Sequence, residues 1–105
     1  MFIKYDEIEL LDFFEIEPCF IGDKAACEWM YTYSNNDFEI VFFISAYEMY
    51  VDVSISYKEN TVCSEKYTSV SEIRQVDSNT LNVIADRYNI TILKKPQIGI
   101  FVDNK

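Results

Sequence analysis

The sequence predicts a mainly β (or α+β) fold, with an antiparallel sheet or sandwich of about 7–8 short strands and one short N-terminal helix. Three observations carry this prediction. A helix-start pattern lies near the N-terminus, apolar and polar residues alternate from residue 27 onwards, and turn-forming residues recur between the alternating segments. Half of the 105 residues are apolar, which is enough for one packed core. We therefore expect a single domain spanning residues 1–105.

A short helix is expected over residues 6–14. Asp6 suits the N-cap, and Glu9 suits the third helical position of a capping box. On a helical wheel, Ile8 lies opposite an apolar cluster formed by Leu10, Leu11, Phe13 and Phe14. The same segment also alternates in part as a strand would, so a strand stays the alternative. Pro18 ends the element, and residues 19–26 are predicted to form a connection around Gly22.

The rest of the chain predicts strands separated by short turns. Residues 38–44 are apolar at nearly every position, which predicts a central strand covered on both faces. Residues 49–57 alternate most cleanly, and Tyr50 shares its face with Asp52 and two serines. The predicted strands span residues 27–34, 38–44, 49–57, 61–68, 70–76, 81–85, 89–93 and 98–102.

The composition argues against catalysis. The chain has no histidine, which excludes Ser-His-Asp and Cys-His nucleophilic schemes and the usual zinc sites. Its two glycines stand alone, whereas phosphate-binding loops need closely spaced glycines. Asp52 followed by Glu65 and Lys66 departs from a metal-dependent nuclease core, in which one residue separates the Glu from the Lys. We therefore expect no enzymatic activity, no metal and no cofactor.

Several features favour a cytoplasmic location. Acidic residues follow the start of the chain almost at once, so residues 1–7 lack the apolar run of a signal peptide. No stretch approaches the roughly 20 apolar residues that span a bilayer. The three cysteines (Cys19, Cys27 and Cys63) are an odd number, which fits free thiols in a reducing compartment. We expect no association with membranes.

The charge of the chain is strongly asymmetric. Eighteen acids against nine bases give a net charge of −9. Residues 1–50 hold eleven acids and two bases, and residues 51–105 hold seven of each, so the whole imbalance lies in the first half. Such a field repels nucleic acid and attracts basic partners. The alternative interpretation is that the acidity serves solubility alone.

Aromatic residues mixed with acids predict a surface that binds a protein. Trp29, Tyr31 and Tyr33 share one strand face and are expected to fill the core. Tyr50, on a polar face, is the better candidate for exposure. The predicted partner-binding residues are Asp12, Glu15, Glu17, Asp37, Glu39, Glu48, Tyr50 and Asp52.

The chain is small, acidic and rich in predicted strands. It also contains two segments of mixed acidic and apolar residues, Leu11-Asp12-Phe13-Phe14-Glu15-Ile16-Glu17-Pro18 and Ser45-Ala46-Tyr47-Glu48-Met49-Tyr50-Val51. In these features the chain resembles the immunity proteins of bacterial polymorphic and contact-dependent toxin systems. The resemblance implies a protein that neutralises a cognate toxin by covering its active or functional surface, and the net charge of −9 indicates that this toxin is basic. We expect a monomer or a homodimer when free, since an unpaired edge strand could form a dimer.

Two other functions stay open at this point. The acidic field would also suit a nucleic-acid mimic that inhibits a DNA-binding protein, provided that the carboxylates are spaced like phosphates. An accessory β domain of a phage or mobile element is the other alternative, and its acidity would then serve solubility.

Overall fold

Nine strands and one helix form the part of the chain that the computed structural model describes, namely residues 2–20, 27–35, 37–95 and 98–104. The mainly β prediction with one short N-terminal helix is confirmed. The elements are α1 (Glu7–Phe14), β1 (Cys19–Phe20), β2 (Glu28–Asn35), β3 (Phe38–Ser45), β4 (Tyr50–Tyr57), β5 (Asn60–Tyr67), β6 (Val70–Asp77), β7 (Thr80–Ala85), β8 (Tyr88–Leu93) and β9 (Gly99–Asn104).

The strands form two antiparallel sheets. The first sheet has the order β1-β2-β3-β4-β5 and the second has the order β6-β7-β8-β9, so the strands of each sheet follow one another along the chain. Because side chains alternate across a strand, each sheet contributes one apolar face to the core. The fully buried residues of the two faces include Ile40, Phe42 and Val53 from the first sheet and Leu81 and Ile90 from the second.

The central strand of the first sheet differs from its prediction. β3 is the third of five strands, as its apolar sequence suggested. Its inward residues Ile40 and Phe42 are fully buried, but Val41 and Phe43 on the other face are only half-buried and Glu39 is exposed. The expectation that both faces are covered is therefore wrong. Antiparallel sheets commonly pack one face on the core and leave the other to solvent.

The predicted helix is present and is capped at both ends. The Asp6 side chain accepts a hydrogen bond from the Ile8 backbone N–H at 2.8 Å, as an N-cap does. At the other end Glu15 takes a left-handed conformation with φ 61°, and its N–H donates to the Leu11 carbonyl. The helix therefore ends at Phe14, before Pro18 is reached. The alternative of a strand over this segment is wrong.

Two details of the helix prediction are also wrong. The Glu9 carboxylate does not complete a capping box with Asp6 but accepts a hydrogen bond from the Gln75 backbone N–H in β6, at 2.8 Å. Leu10, Phe13 and Phe14 are buried as expected, whereas Leu11 is 42% exposed. The helix packs against β6 of one sheet and β2 of the other, so its apolar stripe closes one side of the core.

The segment before the helix is held by the second sheet. The Lys4 backbone N–H donates to the Ser71 carbonyl, and the Ile73 N–H donates to the Lys4 carbonyl, both at 2.9 Å. Lys4 thus forms a parallel bridge to Glu72, which the sequence did not indicate. In the predicted 19–26 connection, Cys19 and Phe20 form β1, and residues 21–26 lie outside the described residues.

Candidate binding surface

The outward face of the first sheet combines apolar and acidic side chains. In register across the strands, Met30 lies opposite Phe43, Phe43 opposite Asp52, and Asp52 opposite Lys66. These positions alternate with the buried ones, so their side chains project away from the core. We call the outward face of β2, β3 and β4 the open face; its residues are Glu28, Met30, Thr32, Ser34, Glu39, Val41, Phe43, Ser45, Tyr50, Asp52, Ser54 and Ser56.

Tyr50 is at the centre of the aromatic part of the open face. Its ring centroid lies 5.8 Å from that of Phe43, and the Lys66 ammonium nitrogen lies 4.1 Å from the Tyr50 centroid. Such a cation–π contact fixes the ring from one side while the side chain stays half-buried. The expectation that Tyr50 faces outward with Asp52 agrees with the structure.

The charge around Tyr50 is negative. The pKa of Tyr50 lies above its usual value of 10.0, first because of burial and then because of the carboxylates of Glu28, Glu48 and Asp52. These three acids come from β2, from the turn after β3 and from β4. The fold therefore brings three carboxylates close to one phenol ring, although their residues lie up to 24 positions apart in the sequence.

The eight predicted partner-binding residues fall into three places. Glu39, Tyr50 and Asp52 lie on the open face. Asp37 and Glu48 occupy the turns that join the strands of this sheet, and both are exposed. The remaining residues are the exposed acids on or after α1, which are Asp12, Glu15 and Glu17.

Two acids of the helix region, Asp12 and Glu15, are engaged in contacts within the chain. Asp12 accepts a hydrogen bond from the Gln75 side-chain amide at 2.6 Å. The Glu15 carboxylate lies 3.0 Å from the ammonium of Lys94, which is only 3% exposed. The same ammonium donates to the Phe13 carbonyl at the end of the helix and lies 4.8 Å from the Tyr33 ring centroid. Lys94 therefore caps the helix, since a cation is stabilised at a helix C-terminus.

The turn between β2 and β3 borders an open cleft. The Lys58 backbone N–H donates to the Asp37 carbonyl at 2.8 Å, which joins this turn to the one after β4. Glu39 accepts from the Ser34 hydroxyl at the edge of the cleft. The cleft is lined mostly by polar and charged side chains, so it extends the acidic edge of the open face.

Sequence reasoning missed the apolar part of the open face. The nearly continuous apolar sequence of the strand predicts a covered face for Val41 and Phe43. Glu39 carries the signal that could have found them, since it shares their strand face and a charged residue there predicts exposure.

Within the described residues, the side chains that partly match a nuclease core (Asp52, Glu65 and Lys66) do not all lie on one face of the sheet. Asp52 and Lys66 are register partners on the outward face, whereas Glu65 is the partner of buried Val53 and belongs to the other face of β5. No group of three or more metal-ligating side chains occurs among the residues that the structure describes. In that same part of the chain no helix has the length and apolarity to cross a membrane.

Fold and surface together define a small two-sheet β domain with an acidic, aromatic face suited to contact with another protein. The chain is similar over its full length to a chain of a solved structure, the contact-dependent growth inhibition toxin–immunity protein complex from Klebsiella pneumoniae 342. The two chains are 27% identical, each is covered to 100%, and the TM-score is 0.83. This similarity confirms the resemblance to contact-dependent toxin–immunity systems predicted from the sequence. No family model matches the chain, and no curated protein matches it.

Proposed function

We propose that this chain is an immunity protein that binds a cognate toxin and neutralises it by covering its active or functional surface. The observation that carries the proposal is the full-length similarity to a chain of a toxin–immunity protein complex, at a TM-score of 0.83. The toxin is a basic protein, because the partner has to complement a chain with a net charge of −9.

The side chains present favour the role of inhibitor, rather than that of toxin, for this chain in such a pair. The sequence has no histidine. The two acids that resemble part of a nuclease core lie on opposite faces of the sheet, Asp52 on the outward face of β4 and Glu65 on the other face of β5. A protein that acts by contact needs no general base or nucleophile, and its surface acids serve to attract the partner. We therefore propose a non-catalytic protein of a single domain that acts in the cytoplasm, where it would meet an incoming toxin.

The open face is the surface that we expect the toxin to contact. Tyr50 and Phe43 provide an aromatic centre, and Glu28, Glu39 and Asp52 provide an acidic surround. Large aromatic side chains contribute most of the binding energy at interfaces, while surrounding charges raise the rate of association. Of the other predicted residues, Asp37 and Glu48 border this face, whereas Asp12, Glu15 and Glu17 would extend the contact toward the helix.

A rescue experiment tests the proposal. The C-terminal domain of the protein encoded by the neighbouring reading frame is expressed from a controlled promoter, with and without this chain, and viable cells are counted. We expect killing that this chain suppresses, together with co-purification of the two proteins. A variant of this chain with its core disrupted, Phe42→Asp, is the control, because it should fail to protect.

The opposite results are equally informative. If expression of this chain itself kills and the neighbour protects, the roles in the pair are reversed. If the neighbour kills at the same rate with and without this chain, and the two do not co-purify, the proposed function is wrong for that pair.

A further inference from the structure

A small cavity lies between the start of α1, the segment after the helix, and β2. It has a volume of about 250 Å³ and is lined by Glu7, Leu11, Glu17, Pro18, Trp29 and Tyr31. We call it the Trp29 cavity. It lies at the edge of the core and is separate from the open face, because Trp29 and Tyr31 project from the opposite side of β2.

The aromatic walls of the Trp29 cavity are held by further rings. The Tyr5 ring meets the Trp29 indole edge-on, with 6.5 Å between centroids. Tyr31 is 2% exposed and stacks on Phe14 with 5.1 Å between centroids. Since each ring is fixed by a neighbour, the cavity keeps its shape without a ligand, and a ligand would lose little free energy to reorganisation of the site.

The charge of the cavity is negative. Of the described residues that line it, Glu7 and Glu17 are acids and none is a base. Both carboxylates are exposed at its rim. Burial, followed by the interactions with Tyr5 and then with Glu7, raises the pKa of Tyr31 to about 12. The Glu7 field therefore extends to the inner wall of the cavity.

We propose that the Trp29 cavity binds an arginine side chain of the partner, a proposal that rests on the proposed function because the partner is the toxin. A guanidinium is planar, stacks on aromatic faces and pairs with carboxylates, so it matches an indole wall and two rim acids. An apolar side chain would leave the acids without a counter-charge, and a second copy of this acidic chain would add like charge. A basic partner supplies the missing charge.

The first test measures binding of the toxin by the intact protein. Glu7→Gln/Glu17→Gln is compared with Glu65→Gln, an exposed acid on β5 that is distant from the cavity along the sheet. We expect the double variant to bind about tenfold more weakly and Glu65→Gln to bind within twofold of the natural chain. Thermal unfolding of each variant shows whether the fold is kept.

The second test needs no toxin and uses the one tryptophan of the chain. N-acetyl-arginine amide is titrated into the protein while tryptophan emission is recorded. N-acetyl-citrulline amide, which has the same shape without the charge, is the control probe. We expect a saturable change with the arginine compound, a smaller change with the citrulline compound, and loss of the difference in Glu7→Gln/Glu17→Gln.

The two tests separate the inference from the proposed function. If the natural chain binds no toxin, the proposed function fails, and the arginine probe still decides whether the cavity accepts a guanidinium. If the natural chain binds toxin and the double variant binds equally well, the inference is overturned while the proposed function stands. Equal responses to the arginine and citrulline compounds also overturn it.

Discussion

The two sheets of this domain share one core but present different outer surfaces. The segment of the first sheet from residue 28 to residue 67 holds seven acids and two bases, whereas residues 70–104 of the second hold four of each. The outward face of the second sheet combines Asn82 and Thr91, which hydrogen-bond each other at 3.1 Å, with a Glu72–Arg74 ion pair and an exposed ring, Phe101. The outward face of the first sheet has two rings in contact, Phe43 and Tyr50, within its excess of acids.

This difference distinguishes the inward residues, which folding requires to be apolar, from the outward residues, which folding does not constrain in the same way. Both sheets bury aliphatic residues to the same extent, as Ile44 and Ile92 show, so both inner faces satisfy the core. The excess of acids around the rings of the open face supports the proposal that this face contacts a basic partner, and the second sheet, whose charges balance, serves as an internal reference.

The largest expected effect concerns the inner tyrosine of the first sheet at alkaline pH. The pKa of Tyr31 is about 12 in the folded chain, mainly through burial, against 10.0 when unfolded. Between these values the unfolded chain binds fewer protons at this tyrosine, so its contribution to stability falls by on the order of 3 kcal/mol as pH rises from about 10 to about 12. Urea unfolding at successive pH values measures the decline.

Tyr31→Phe is the variant that checks the cause of this decline, and Tyr57→Phe, at an exposed position, is its control. The slope of stability against pH should flatten in Tyr31→Phe alone. Equal slopes in both variants would show that the alkaline sensitivity does not belong to the inner face of the first sheet.

The next effect concerns the contact by which the second sheet holds the acidic helix region. Lys94→Met keeps most of the side-chain volume but removes the donor to the Phe13 carbonyl and the ion pair with Glu15. We expect a loss of about 2 kcal/mol, chiefly from the carbonyl left without a donor. Chemical denaturation measures it. Lys95→Met changes an exposed neighbour and should cost less than about 0.5 kcal/mol, and similar losses in both would contradict this assignment.

A third prediction compares one aromatic residue from each outer face. Tyr50→Ala should weaken binding of the toxin about tenfold, or about 1.4 kcal/mol, because an aromatic anchor is lost from the open face. Phe101→Ala removes an exposed ring from the outer face of the second sheet and should leave affinity within twofold. Calorimetric titration measures both. The comparison of the two faces fails if Phe101→Ala has the larger effect.

The smallest expected effect is on the rate of association. Glu28→Gln/Glu39→Gln/Asp52→Asn should slow association severalfold, since it removes three charges that attract a basic partner. Glu72→Gln/Asp103→Asn, on the second sheet, should slow it less. Stopped-flow measurements at two salt concentrations check this result, because the gap between the variants should narrow as salt screens the charges. A slowing below twofold in the triple variant would assign these acids to solubility.

Local patterns in the sequence were sufficient to place most strands. The predicted strand over residues 49–57 corresponds to β4 at Tyr50–Tyr57, and the one over 81–85 corresponds to β7 at Thr80–Ala85. Strict alternation works here because each strand has one buried face. The parallel bridge between Lys4 and Glu72 was beyond such reasoning, because pairing between distant segments leaves no local pattern.

The surface residues show the same limit. The outward direction of Tyr50 followed from its polar strand neighbours, so it could be predicted. Trp29 was expected in the core, and it does contact the core, but it also lines a cavity with Glu7. That arrangement depends on how α1 packs against β2, and the sequence of either element alone does not contain it.

The hydrogen bonds that fix residues 4–15 have a consequence for the order of folding. Lys4 is paired with residues 71 and 73, Glu9 with Gln75, and Phe13 with Lys94, which lies 81 positions away. The ribosome therefore releases the helix long before its partners exist. Contacts so far apart in sequence are typical of β proteins that fold in milliseconds to seconds. The helix is therefore synthesised well before the residues that hold it and is among the last elements to be secured, because its contact with Lys94 forms only after Lys94 has emerged.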